Sequence, residues 1–224
     1  MKKIIIFLAL FFVIVGIVNA AESVALALQV KGEVELIRNK TAQKVSIGQE
    51  LVNKDTLETR EDSYAAIKFI DGSSIVKLFP NSILTINTEK KNNKLNKKSY
   101  LKMGELWTKV MKKTGAFEIE TPTTVVSVKG TKFLLGVGKA GNTQLFTFEG
   151  VVQIKNKFDK KTSLVTAGNK CFVDIKGNLL ISKIQKGDIG EKLQNLIDED
   201  NSEKLEIELE NKDGETKRIE IEFK

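Results

Sequence analysis

Between Ser23 and Ile184 the chain is built almost entirely of short runs of β-branched, aliphatic and aromatic residues, many of them alternating with polar ones. Examples are "LALQV", "GEVELI", "SYAAIKFI", "SSIVKLF", "SILTIN", "AFEIE" and "TVVSV". The series continues with "KFLLGV", "QLFTFE", "VVQIKN", "SLVTA", "CFVDI" and "NLLISK". A two-residue period places every second side chain on one face, as a half-buried strand requires and a helix does not allow. Gly and Asn separate the runs at intervals of roughly 8 to 15 residues, the spacing of turns in a sandwich, barrel or solenoid. No alternation of strand and helix is visible, so a parallel sheet built with crossover helices is excluded. The prolines, Pro80 and Pro122, fall where strands begin or end.

The ends of the chain depart from this pattern. "MKKIIIFLALFFVIVGIVNA" has two lysines, an apolar run and small residues three apart at its end, and is read as a signal peptide cleaved after Ala20. An uncleaved N-terminal anchor is the alternative, although about 15 apolar residues is short for a bilayer span. The expected organisation is a signal peptide over 1–20, an all-β domain over 21–183, and a C-terminal helix plus acidic hairpin over 184–224. Ile189, Leu193, Leu196 and Ile197 share one helical face after Asp188-x-x-Glu191, predicting a short helix over 188–199. Beyond it Leu205, Ile207 and Leu209 alternate, as do Ile219, Ile221 and Phe223, predicting a hairpin with Asp213-Gly214 at its turn.

Charge divides along the same line. Residues 21–183 carry a net +11 and residues 184–224 a net −6, so the acidic tail is expected to dock on the basic body or to present its own field to a partner. The chain has no histidine and one cysteine, Cys171. That excludes Ser-His-Asp and Cys-His catalysis, Cys/His zinc sites and an internal disulfide. In "NKCFVD" the cysteine reads as a small buried hydrophobe, with an intermolecular bridge as the alternative.

Several motifs resemble chemistry. Ser74 and Lys77 form S-x-x-K and Lys113-Thr114-Gly115 forms K-T-G, as in penicillin-binding proteins and serine β-lactamases. Ser74, however, follows a strand and a D-G turn, so residues three apart point to opposite faces, and the third element of those enzymes is absent. "VKGTKF" has the wrong order for a phosphate-binding loop; Gly130 is better read as a backbone bend or close strand approach. "DEDNSE" at 198–203 lacks the glycine and ligand order of a calcium loop. "EKKNNKLNKKSYLK", residues 89–102, reads as a lysine-rich loop. Its Lys90, Lys91, Lys94, Lys97, Lys98 and Lys102 are candidates for binding an anionic envelope polymer or membrane surface, together with lysines at 109–113. Without arginine or interleaved aromatics it does not suggest a nucleic-acid site.

Six stretches in register resemble the FecR domain: "VKGEVEL", "IGQELVNKDTLETREDSYAAIKFIDGSSIVKLFPNSILTI", "LKMGELWTKV", "FEIETPTTVVSVKGTKFLLGV", "FTFEGVVQIKN" and "VTAGNKCFV". The resemblance implies an all-β, solenoid-like module, here combined with a short helix and a C-terminal hairpin. Its fold-defining positions would be Asp71, Gly72 and Ser73 at a hairpin turn, Gly104 and Trp107 in G-x-L-W, and Thr121 and Pro122 opening T-P. Gly130, Thr131 and Phe133 in G-T-x-F, and Glu149 and Gly150 in E-G, would complete the set. Trp107 and Phe133 would be core anchors. The family brings no catalytic set, so neither an enzyme nor a cofactor is expected. FecR regulators combine this domain with a cytoplasmic segment that engages a sigma factor, which this chain does not display, so direct sigma-factor control is not expected. The expected role is a periplasmic or secreted binding, scaffold or signalling module whose partner is an envelope protein or glycan.

Overall fold

The computed structural model describes residues 22–111, 115–190, 204–210 and 216–222. Among them all regular structure is β. The strands are β1 (Ser23–Lys31), β2 (Val34–Arg38), β3 (Thr41–Lys44), β4 (Glu50–Val52), β5 (Thr56–Thr59), β6 (Tyr64–Phe69) and β7 (Ser74–Leu78). Next come β8 (Ile83–Thr85), β9 (Thr88–Lys91), the long β10 (Lys94–Val110), β11 (Phe117–Glu120), β12 (Thr124–Val128), β13 (Thr131–Val137) and β14 (Thr143–Glu149). The last are β15 (Val151–Asn156), β16 (Thr162–Thr166), β17 (Asn169–Val173), β18 (Leu179–Lys183), β19 (Lys204–Glu210) and β20 (Thr216–Glu222).

The first eighteen strands form one continuous curled sheet, antiparallel except where β10 runs beside β11. It makes two layers. One has the order β4, β1, β6, β7, second half of β10, β13, β14, β17, β18. The other runs β3, β2, β5, β8, first half of β10, β11, β12, β15, β16, with β9 beside the start of β10. From β11 onward the chain forms the hairpins β11–β12, β13–β14, β15–β16 and β17–β18 and changes layer between one hairpin and the next.

The inward positions of both layers merge into one apolar cluster. Leu36, Leu57, Leu84, Leu101, Ile119 and Ile154 meet Ile67, Val76, Leu106, Phe133, Leu145 and Cys171 there. Phe69 and Phe117, one from each layer, stack edge to face at 6.2 Å. At roughly 1.5–3 kcal/mol for each large apolar side chain withdrawn from water, this cluster is the main stabilising term.

The bend that lets β10 serve both layers is at Gly104. Its φ is +92°, and a Cβ there would fall 2.4 Å from the Ser82 Cα, a separation no side chain tolerates. The Ser82 hydroxyl uses the space, accepting from the Glu105 amide at 2.9 Å. Gly32 repeats the device: it abuts Ser63, whose Oγ accepts from the Glu33 amide at 2.8 Å.

Two expectations change. Residues 89–102 are not a loop: β9 and β10 form a hairpin across Asn92-Asn93, both with positive φ, the conformation a tight two-residue turn needs. The helix expected over 188–199 does not begin as such, since Asp188, Ile189 and Gly190 are irregular; 191–199 lie outside the described residues. Strands β19 and β20 pair as expected, Leu205 opposite Ile221 and Ile207 opposite Ile219. Residues 1–20, the Asp213-Gly214 turn, Phe223 and 198–203 lie outside the described residues.

Candidate functional site

Asp71, Gly72 and Ser73 form the turn between β6 and β7. Asp71 Oδ1 accepts from the Ser73 amide at 3.1 Å and from Ser73 Oγ at 2.8 Å, the local bonding that makes aspartate a turn residue. Gly72 has a φ of +66° with open space around its Cα, so its conformation rather than crowding demands glycine. Lys97 reaches this turn from the other layer. Its Nζ donates to Asp71 Oδ2 and, at 2.6 Å, to Ser73 Oγ, and it lies 5.8 Å from the centre of the Phe69 ring. Lys97 is fully buried, so it cannot share a surface with the other lysines of its segment.

Those others divide. Lys90 pairs with Glu22 at 2.8 Å and Lys98 with Glu89 at 3.6 Å. Lys91 and Lys94 face each other across the hairpin end, and both are exposed, as is Lys102. The surface candidate is thus a narrow hairpin tip. Lys109 is half-buried, and Lys112 and Lys113 lie outside the described residues.

A different surface forms on the outer side of the layer containing β13 and β14. Phe79, Trp107, Leu134 and Phe146 make a second buried apolar cluster there, separate from the main core, and Lys77 Nζ stands 5.1 Å from the Trp107 ring centre. Tyr64, Phe148, Ile184 and Ile189 pack against it. Residues 184–190 therefore act as a strap across the outer face, held at its end by an ion pair between Lys170 and Asp188. Asp188 also accepts from the Gln185 amide at 2.6 Å. The hydrogen bond from Lys170 and then that from Gln185 hold the Asp188 carboxyl below the usual carboxylate range. Beside the strap, Phe172 and Leu180 are opposite each other on β17 and β18 and are exposed, Leu180 by 65%. Among the described residues β18 pairs with β17 alone, leaving its outer edge open.

Ser74 is wholly buried in β7, while Lys77 is on the outer face over Trp107, so the two are on opposite sides of the layer. Cys171 is buried in the main core and burial pushes its thiol up to about 11. Among the described residues, no group of three His, Cys, Asp or Glu side chains could hold a metal ion. No helix among them is long and apolar enough to cross a membrane.

Residues 55–153 match the family model described as FecR protein. The chain contains a FecR domain. No curated protein matches the chain. Two crystal structures of a candidate anti-sigma factor from Parabacteroides distasonis ATCC 8503 are similar in fold. One, at 2.50 Å resolution, has a TM-score of 0.50 and 16% identity over 57% of this chain and 59% of that one. The other, at 1.65 Å, has a TM-score of 0.52 and 14% identity over 71% and 70%. The chain thus spans less than two thirds of the first of these.

Within the FecR domain each motif position has a physical task. Thr121 Oγ1 accepts from the Thr124 amide at 3.0 Å and is 2.8 Å from Thr143 Oγ1, so the Thr121-Pro122 corner is fixed by hydroxyls. Gly130 and Gly150 meet: a Cβ on Gly150 would lie 2.6 Å from the Gly130 carbonyl and 2.9 Å from Thr131. Glu149 pairs with Lys132 at 3.3 Å on the surface. Phe133 is in the main core, whereas Trp107 belongs to the outer cluster, so the two anchors serve opposite faces of one layer. Sequence reasoning missed the role of Asp55, which receives both Arg38 Nε and Nη2 and the Val52 amide; its only signal was its place in the stretch from Ile47 to Ile86 that resembles the FecR domain.

Proposed function

We propose that this chain is a non-enzymatic, extracytoplasmic FecR-domain module that binds another protein of the cell envelope in a signalling or scaffold role. The observation that carries the reading is the open edge of β18 with exposed Phe172 and Leu180 beside the strap. An unpaired edge offers backbone hydrogen bonds to an incoming strand, and flanking apolar side chains supply the selectivity. The fold shared with a candidate anti-sigma factor and the FecR match are consistent with a signalling role. The acidic segment beyond the strap would add electrostatic steering toward a basic partner.

A second reading rests on Lys91 and Lys94, two like charges opposed at the hairpin end, an arrangement that a bound anion would relieve. It makes the chain an electrostatic ligand of anionic polysaccharide or membrane surface, with the exposed Lys102 further along β10.

The test is a cross-linking pull-down from cell-envelope extract at low and high salt. It compares the full chain, a chain ending after Gly190, a Phe172→Glu, Leu180→Glu variant and a Lys91→Gln, Lys94→Gln, Lys102→Gln variant. Ending at Gly190 retains Ile184, Asp188 and Ile189, so the strap is kept. The proposal expects a salt-resistant protein partner that the edge variant loses. Capture that ignores the edge variant and disappears with salt and with the lysine substitutions establishes the second reading instead, because exposed charges are screened over about 8 Å at physiological ionic strength.

A further inference from the structure

We propose that Lys97 and Asp71 condense into an intramolecular amide that covalently staples the two layers. Three features converge. Lys97 is fully buried, and its Nζ is in direct contact with Asp71 Oδ2. The other carboxyl oxygen, Oδ1, accepts from both the amide and the hydroxyl of Ser73, at 3.1 and 2.8 Å. The pair lies against the Phe69 ring, itself packed on Phe117, with the Lys97 side chain withdrawn from water and that of Asp71 16% exposed.

A lysine and a carboxylate normally stay an ion pair because water solvates both charges and the amine is protonated. Burial of Lys97 weakens that advantage, since a charge in a medium of low polarity carries a desolvation penalty that a neutral product does not. Holding nitrogen and carboxyl together also supplies the proximity term for which a bimolecular condensation would need a very high concentration. The donors on Oδ1 are placed where negative charge develops, the arrangement that stabilises a tetrahedral intermediate.

The step balances without a co-reactant. One ammonium proton passes from Nζ to Oδ2 across their hydrogen bond, and the freed lone pair attacks Asp71 Cγ. The carbonyl electrons move onto Oδ1, held by Ser73. A second nitrogen proton then passes to Oδ2 across the contact that joins the two groups. The Cγ–Oδ2 bond breaks, water leaves and the carbonyl re-forms on Oδ1. One N–C bond replaces one C–O bond, and nothing is oxidised or reduced. The Gly72 amide, whose attack on the same carbon would give a cyclic imide, is engaged by the Phe69 carbonyl at 2.9 Å.

Tryptic mass mapping of the purified full chain tests this. The amide blocks cleavage after Lys97, so the expected product is a branched peptide joining 69–77 to 95–98, lighter than their sum by one water. Lys97→Arg, which keeps the positive charge but cannot condense in this way, should abolish it. Ser73→Ala, which removes the hydroxyl donor to Oδ1 but neither reacting group, should lower the fraction of branched peptide in the purified chain. Recovery of peptides 69–77 and of unmodified Lys97 from the folded native chain overturns the proposal. So does a water loss confined to 69–77 that persists in Lys97→Arg, which would mark the imide.

Discussion

Asp55 is almost wholly withdrawn from solvent, yet its carboxylate is fully occupied. Arg38 Nε and Nη2 approach its two oxygens at 2.8 and 2.7 Å, and the Val52 amide adds a third donor at 2.7 Å. Such a forked pair ties β2 to the β4–β5 turn with fixed geometry. Removing the acid leaves a guanidinium and an amide without their acceptor. Asp55→Ala should therefore cost about 3 kcal/mol, the lower end for breaking a buried pair because Arg38 is partly exposed, measured by urea unfolding. At this scale the sequence was legible where chemistry and position agreed: Gly130 was expected to allow a close approach and meets Gly150. It was not legible at Lys97. A lysine in a lysine-rich run reads as solvated, and only the fold brings the Asp71 turn over it.

The strap over 184–190 is an element without regular structure, fixed by Ile184 and Ile189 on the outer cluster and by Asp188 on Lys170. Because Lys170 and the Gln185 amide hold the Asp188 carboxyl below its ordinary value of 3.8, its contribution is complete above that value. It is lost as pH falls through the lower folded value, where the carboxylate takes up a proton. Acidification should release the strap and shift the emission of Trp107, the sole tryptophan, to the red. Asp188→Asn should show the same shift at neutral pH, measured by fluorescence titration. Element by element, the apolar and alternating runs foretold β1, β2, β6 to β8 and β11 to β18 because at least one face of each is apolar. The start of β10 escaped notice because its inward positions include Lys97 and Ser99, which are buried but polar, so the two-residue signal vanished. The helix expectation over 188–199 combined the spacing of Ile189, Leu193, Leu196 and Ile197 with a cap-like entry at Asp188, and Asp188 instead binds Lys170.

In the whole molecule, both layers contribute to one apolar cluster, and Cys171 lies within it. A thiol pushed up to about 11 by burial is neither ionised nor accessible at mildly alkaline pH. A thiol reagent should therefore leave the native chain unlabelled. With rising denaturant, labelling should appear at the same midpoint as the loss of far-ultraviolet circular dichroism, since a shared core unfolds as a unit. Earlier labelling would mean that the β17 end opens separately. The all-β class was readable from the sequence, but the layer exchange between successive hairpins was not, because alternation reports which face is buried and not which neighbour covers it.

Strand β10 adds a mechanical property to this arrangement. Its first half is flanked by β8, β9 and β11, and its second by β7 and β13, so a single backbone runs from one layer into the other. It works as a tie rod: load on either layer passes along covalent bonds instead of across a slippery apolar interface. Shearing the layers apart requires stripping hydrogen-bond ladders from both flanks of the same rod.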